Sequence, residues 1–293
     1  MNEEKVFSQT PKLPPGLYIV ATPLGHARDI TLRALEVLKA ADLILCEDTR
    51  VTRKLMQIYS IKTPLRAYHD HNEGAASRAA LSELDAGKSI ALVSDAGTPV
   101  VSDPGYRLTR LASAEGHDIF PIPGAASPIA ALSVSGLPSD RFQFLGFLPS
   151  KASARQRALK ALVPEMGTII LFESPNRLCA LLHDIATIWG PVDTVVAREM
   201  TKKFEEIQRN SPLALLEYFS RKAVRGECVV LFSMPELAAP SATDVDMALQ
   251  AELMNNSVRD AAMHVADKLG LPKKQIYARA LQLMDASKDS SVT

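Results

Sequence analysis

Through most of the chain, short apolar runs alternate with longer stretches whose apolar residues recur at helical spacing. Residues 17–21 (LYIVA) read as a buried strand, and 29–41 (DITLRALEVLKAA) as the helix that follows it. The same pairing recurs as 42–46 (DLILC) with 49–59 (TRVTRKLMQIY), 89–94 (SIALVS) with 105–116 (GYRLTRLASAEG), and 118–123 (DIFPIP) with 127–136 (SPIAALSVSG). Strand and helix alternating in this way predict βαβ units on a mostly parallel sheet.

The pattern breaks at 138–151 (PSDRFQFLGFLPSK) and then restarts. Strands are expected at 168–174, 193–199 and 227–233, with helices at 176–190 and 212–220 and a further extended piece at 204–209 (FEEIQR). The short connections there predict a mixed or antiparallel end to a second sheet. Residues 244–286 show no strand pattern and read as about three helices, the last two joined by a Gly-Leu turn before Pro272 in a helix-turn-helix shape. The expected organisation is a flexible 1–15, an α/β domain at 16–137, a second at 138–234, a linker at 235–243 and a helical extension at 244–293.

Composition narrows the class. With 47% hydrophobic and 23% charged residues the chain is expected to be soluble and globular. A net charge of zero means that any nucleic-acid contact must rely on local basic patches. Two are visible: Lys151, Arg155, Arg157 and Lys160 in an acid-free stretch, and Lys268, Lys273, Lys274 and Arg279 near the C-terminus. The three cysteines are far apart and read as reduced thiols. The polar N-terminus has no signal-peptide character and no apolar run is long enough for a membrane span, so a cytoplasmic protein is expected. No metal-ligand spacing stands out.

The unusual residues gather where strands end, which is where open α/β sheets bind ligands. After the first strand comes ATPLGHARDIT (21–31), with Asp29 or Thr31 placed to cap a helix. The second strand ends in CEDTR, where a helix cap accounts for Asp48 but not for Glu47 and Arg50 beside it. SDAGTPVVSDPG (94–105) splits in two. Asp95 to Pro99 suits ligand contact, whereas Asp103-Pro104-Gly105 reads as the start of a helix. PIPGAASPIAA (121–131) offers small residues to a flat ring. Further strand ends are ESPNR (173–177), AREMTKKFEE (197–206) and RGE (225–227). The glycine fingerprints of dinucleotide and P-loop sites are missing.

Taken together and in order, ATPLGHARDIT, CEDTR, SDAGTPVVSDPG, PIPGAASPIAAL, GLPSDRFQFLGFLP, ESPNR, REMTKKFEE and RGE resemble the tetrapyrrole-methylase superfamily, and more closely its ribosomal-RNA branch. The resemblance covers roughly 16–234, and the tail is similar to that branch's C-terminal extension. Ala21 and His26 depart from it, standing where relatives commonly have glycine and asparagine. It implies two α/β/α domains with a small helix-turn-helix-like extension, working as a homodimer and binding S-adenosylmethionine (SAM) between the domains. The implied cofactor contacts are Pro23, Leu24, Asp95, Gly97, Thr98, Ala126, Ser127, Phe172, Ala197 and Arg198. The implied target is the ribose 2′-hydroxyl of a cytidine in the decoding region of 16S rRNA, within the 30S ribosomal subunit. RNA contacts are expected from Lys151, Arg155, Arg157, Lys202, Lys203, Lys273 and Lys274. Rival readings are methylation of a tetrapyrrole or corrinoid precursor, and a non-enzymatic SAM-sensing regulator that binds nucleic acid.

Methyl transfer to a hydroxyl needs alignment, which can supply about 7–11 kcal/mol, and a proton acceptor worth typically about 10²–10⁴-fold. Glu47 or Asp48 is expected to take or relay the proton, with Arg50 holding a phosphate, and Glu173 and Glu199 rank behind them.

Overall fold

A computed structural model describes residues 12–234, 242–269 and 271–289. The expected flexible 1–15 and the linker at 235–243 fall mostly outside them. The chain divides into two compact units, one ending at Met234 and the other beginning at Pro235.

In the first unit, five strands form a parallel sheet in the order β3-β2-β4-β1-β5: β1 Gly16–Val20, β2 Leu43–Cys46, β3 Leu65–Ala67, β4 Ser89–Val93 and β5 Ile119–Ile122. Alternate residues face opposite sides of the sheet, and each side is covered by helices. Tyr18, Val20, Ile44, Cys46 and Ala91 pack against α1 (Leu32–Ala40) and α2 (Thr49–Ile58). Leu17, Leu45, Ile90 and Leu92 pack against α3 (Glu73–Asp85) and α4 (Tyr106–Ala114). Thr31, rather than Asp29, caps α1: its hydroxyl accepts the Ala34 amide at 3.1 Å. β3 and α3 have no counterpart in the sequence pattern. β3 is three residues long with Arg66 at its centre, and α3 is rich in alanine with little contrast between its faces.

A second sheet has the order β6-β7-β10-β8-β9: β6 Phe142–Phe147, β7 Thr168–Glu173, β8 Thr194–Arg198, β9 Glu206–Asn210 and β10 Cys228–Ser233. β6 runs parallel to β7 and the other pairs are antiparallel. One face carries α6 (Ala152–Lys160), α7 (Leu178–Trp189) and α8 (Pro212–Ser220) over Leu159, Leu181, Ile185, Phe219 and Phe232.

The opposite face is covered from elsewhere in the chain. α5 (Ser127–Ser135) follows β5, yet its Ala131 and Leu132 pack on Ile170, Val195, Ala197 and Leu231 of the second sheet. Arg209 of β9 caps the C-terminus of α5, donating to the carbonyls of Ser135 (3.0 Å) and Val134. The two sheets therefore share one helix, which accounts for their forming one compact unit.

The second unit contains three helices, α9 (Ala242–Leu253), α10 (Val258–Leu269) and α11 (Lys273–Asp289), around Val245, Leu249, Val265, Ile276 and Ala280. The Ser257 hydroxyl accepts the Asp260 amide at 3.2 Å and donates to its carboxylate at 2.6 Å, a side-chain cap for α10. Arg279 is paired bidentately with Asp246 and so ties α11 to α9 rather than facing a partner. Among the described residues no helix is long and apolar enough to cross a membrane.

Because Leu132 is buried between α5 and the second sheet, we expect Leu132→Ala to destabilise the protein by about 2–4 kcal/mol. Urea unfolding of this variant should keep the two sheets in one transition; separate transitions would contradict the shared core.

Candidate functional site

The chain turns after β1, β4 and β5 are tied to one another at the carboxyl edge of the first sheet. Thr22 and Gly97 exchange backbone hydrogen bonds at 2.8 and 3.0 Å, and the Thr22 hydroxyl donates to the Ser94 carbonyl at 3.0 Å. The Thr98 hydroxyl donates to the Ala125 carbonyl at 2.9 Å. Gly97 has φ +84°, and a Cβ there would lie 3.3 Å from Leu24. Glycine thus permits the turn and leaves backbone bare on the side facing the second sheet.

These turns form one wall of a cleft of about 810 Å3, counting the part open to solvent. Leu24, Gly97, Thr98, Ala126 and Ser127 line it from one side, and Phe172 and Ala197 from the other. Those are seven of the ten expected cofactor contacts. The other three do different work. Pro23 is buried behind the wall. Asp95 accepts the Asp48 amide at 3.1 Å and joins the turns after β4 and β2. Arg198 pairs with Glu206 and donates to the Arg225 carbonyl at 3.2 Å, so it shapes the turn that carries Glu227. Burial pushes Glu206 up, but hydrogen bonds from Lys222, Tyr218 and Arg198 hold it down to about 2.

The two sides also meet at their lips. The His26 amide donates to the Thr201 hydroxyl at 3.1 Å, and a side chain at Gly25 would collide with Lys202. Lys202 lines the cleft and is paired with Glu199 at 3.0 Å. Glu199 sits at φ +51°, and a Cβ on Gly226 would strike its carboxylate.

Asp48 and Arg50, expected to be catalytic, lie off the cleft wall. Asp48 caps α2 through the Arg50 amide (2.8 Å), and its carboxylate holds the Arg50 side chain at 2.6 Å. The hydrogen bond from that guanidinium keeps the carboxyl well below its usual range, which makes it a poor proton acceptor. Glu47 does not line the cleft either. Burial raises its carboxyl, and the charges of Asp95, Asp70 and Glu227 raise it further. Glu173 is fully buried and paired with Arg177 at 3.0 Å.

Three acids line the cleft: Glu227, Glu199, which is paired with Lys202, and Asp103, which the sequence suggested would only start a helix. α4 begins instead at Tyr106, behind Gly105 at φ +132°, with no side-chain cap. The backbone reaches Asp103 through Val100 at φ +75° and Ser102 at φ +64°, a region that a β-branched residue such as valine rarely occupies. Burial pushes the Asp103 carboxyl up to about 6. The Ser94 hydroxyl works against this, while Glu47, Glu227 and Asp95 add to it. Strain at Val100 and a row of unneutralised acids were the two features that mattered, and neither is visible in a linear pattern. Cys228 also lines the cleft, but burial drives its thiol to about 12 and leaves it a neutral wall.

Of the expected RNA contacts, Lys151, Arg157, Lys202, Lys203, Lys273 and Lys274 are exposed. Arg155 is not. It is 5% exposed and held by Asp184 at 2.6 Å, a buried ion pair between α6 and α7. Among the described residues, metal-ligand spacing occurs once, at Asp85, Glu115 and His117. These lie at the C-terminal ends of α3 and α4, at the opposite edge of the sheet from the cleft.

Residues 16–215 match the family of Tetrapyrrole (Corrin/Porphyrin) Methylases, and 239–284 match the RsmI C-terminal HTH domain. A protein of Mesorhizobium japonicum named ribosomal RNA small subunit methyltransferase I is 44% identical, with 94% of each chain covered. Its namesake in Escherichia coli O157:H7 is also 44% identical, over 91% of this chain and 94% of that one. Among solved structures, a diphthine synthase shares the fold with TM-score 0.57 at 14% identity, covering 74% of this chain and 89% of that one. A cobalt precorrin-4 methyltransferase does so with TM-score 0.55 at 20% identity, covering 74% and 93%.

A carboxyl raised by burial stabilises the fold when protonated and loses that contribution as pH climbs from about 4 to about 6. We therefore expect Asp103→Asn to be more stable than the parent protein at pH 7, by on the order of 1–2 kcal/mol after solvent screening, and equal to it at pH 4. Thermal unfolding at the two pH values measures this.

Proposed function

The chain belongs to the tetrapyrrole (corrin/porphyrin) methylase family, and from that premise we propose that its cleft methylates the 2′-hydroxyl of a cytidine ribose in the decoding region of 16S rRNA, on the small ribosomal subunit. The cofactor of a methyltransferase in this family is SAM. When bound, it supplies a methyl group activated by a sulfonium charge. The cleft fits such a molecule: bare backbone and small side chains on one wall, Phe172, Met200 and Val229 on the other, and carboxylates nearby that favour a cation.

The observation that carries the proposal is the place and state of Asp103. A ribose hydroxyl is a very weak acid and loses its proton as the oxygen–carbon bond forms. An acceptor serves best when its pKa lies just below the working pH, so that it is ionised yet still basic. A carboxyl at about 6 on the cleft wall meets that requirement, and the clamped Asp48 does not. Glu47 assists by keeping the field around Asp103 negative. Glu227 acts in the same way, from the turn that Arg198 holds through the Arg225 carbonyl.

Exposed lysines supply contacts to phosphate. Lys202 and Lys203 stand at the lip, Lys151 and Arg157 on α6, and Lys273 and Lys274 at the start of α11 in the helical unit. The Lys273–Asp267 pair is largely exposed, so exchanging it for a phosphate costs little. A cytoplasmic homodimer is part of the same reading.

Methylation of 30S subunits lacking the modification, with labelled SAM and mass-spectrometric mapping, tests the activity. kcat/KM should rise about tenfold per pH unit below about 6 and level off above it. Asp103→Asn should lower kcat by about 10²–10⁴-fold and abolish that arm, with SAM affinity retained; a normal rate and pH profile would exclude Asp103 as the acceptor. Replacing Lys273 and Lys274 by alanine should weaken subunit binding and reduce the slope of log K against log salt by about 1 per lysine. An unchanged slope would remove the helical unit from the RNA interface.

A further inference from the structure

β6 carries one residue too many for its pairing with β7. Phe144 pairs with Ile170 and Phe147 with Phe172, three steps along one strand against two along the other. That is a β-bulge, and it changes which face the later side chains occupy. Ile170 and Phe172, two apart, share a face of β7, so Phe144 and Phe147 share that face as well. Strict alternation would have sent them to opposite sides.

Both rings consequently meet Phe172 edge-on, with centroids 4.8 and 5.5 Å apart, and Phe172 lines the cleft. Their surroundings then differ. Phe144 packs into the core beneath α5, whereas Phe147 remains 48% exposed. The bulge is held against the acid-bearing loop. Gly146 has φ +62°, and a Cβ on it would stand 3.0 Å from the Ser102 hydroxyl oxygen, beside the cleft-lining Val101 and Asp103. Bulges recur next to active sites because they re-aim one side chain. Here the side chain is a half-exposed aromatic ring packed against the cleft-lining Phe172.

Single nucleotides in folded RNA are mostly singled out in loops, bulges and ends, where an unstacked base can stack on an aromatic side chain. Resting on the reading that the acceptor is an RNA ribose, we propose that Phe147 is the positioning residue on which the base of the target nucleotide stacks, which fixes its ribose beside Asp103. Every base has a π-face, so this contact supplies position and not the choice of cytosine.

The test uses Phe147→Ala, Phe147→Leu and Phe147→Trp in the full chain. SAM affinity is measured by calorimetry, folding by thermal unfolding, and kinetics on 30S subunits lacking the modification. Phe147→Ala should lose between about 5-fold and 150-fold in kcat/KM, the range for one lost base–aromatic stack. Phe147→Leu should lose nearly as much, Phe147→Trp should stay near the parent rate, and all three should bind SAM normally. Full rescue by leucine would reduce Phe147 to an apolar wall and overturn the proposal. A parallel loss of SAM affinity would assign the ring to the cofactor instead, and a change of oligomeric state would assign it to a subunit interface; either overturns it. Wild-type protein inactive on these subunits would sink the substrate reading, and this assignment with it.

Discussion

The structure depends on the packing of α5, which follows the first sheet in the chain, against the second sheet. Its sequence, SPIAALSVS, buries Pro128, Ala131, Leu132 and Ser135, while Ile129 and Val134 stay exposed. By chain order it closes the first sheet, and by contact it covers the second, with Arg209 fastened to its C-terminal carbonyls. Its N-terminal end, Ala126 to Pro128, forms part of the cleft wall. α5 and the contacts at the lips thus set how far apart the walls stand, and an error of an ångström there would be felt in any reaction that relies on alignment.

The charges follow a second logic. Three cations near the cleft are already paired: Arg50 with Asp48, Arg198 with Glu206, Lys202 with Glu199. Glu47, Asp95, Asp103 and Glu227 share one region, and burial raises the first three while their charges oppose one another. Such an arrangement works against stability, and it is the condition that leaves a carboxyl basic enough to accept a proton. Backbone strain collects at the same place, at Val100, Ser102, Glu199 and Thr201. Strain of that kind persists only where the surroundings over-determine it, here through Leu92 and Val100 closing on Gly105 and through Glu199 closing on Gly226.

Much of this was legible in order along the chain. The alternation of apolar runs and amphipathic stretches marked β1, β2, β4, β5, β7, β8, β9 and β10 and the helices α1, α2, α4, α5, α7 and α8, because burial of one face imposes a period that composition cannot hide. The motifs after β1, β4 and β5 pointed to the wall that Leu24, Gly97, Thr98, Ala126 and Ser127 form. What stayed hidden was whatever lacked a period: β3 with its central arginine, alanine-rich α3, and β6, whose bulge breaks the alternation at Gly146.

Residue types and local spacing alone therefore determined most of the elements, the strand-end turns and the small residues a ligand could lie against, since each is a matter of a few neighbours in the chain. Which charged side chain performs which task was decided only in three dimensions. Asp48, Arg50, Arg155 and Arg198 looked available in the sequence and are held by partners up to 29 residues away, Asp184 for Arg155 among them. Asp103 looked like a turn residue and lines the cleft with its carboxyl raised. The physical reason is that a pKa and a helix's packing partner depend on burial and on charges brought together by folding, and neither is a property of the residue's place in the chain.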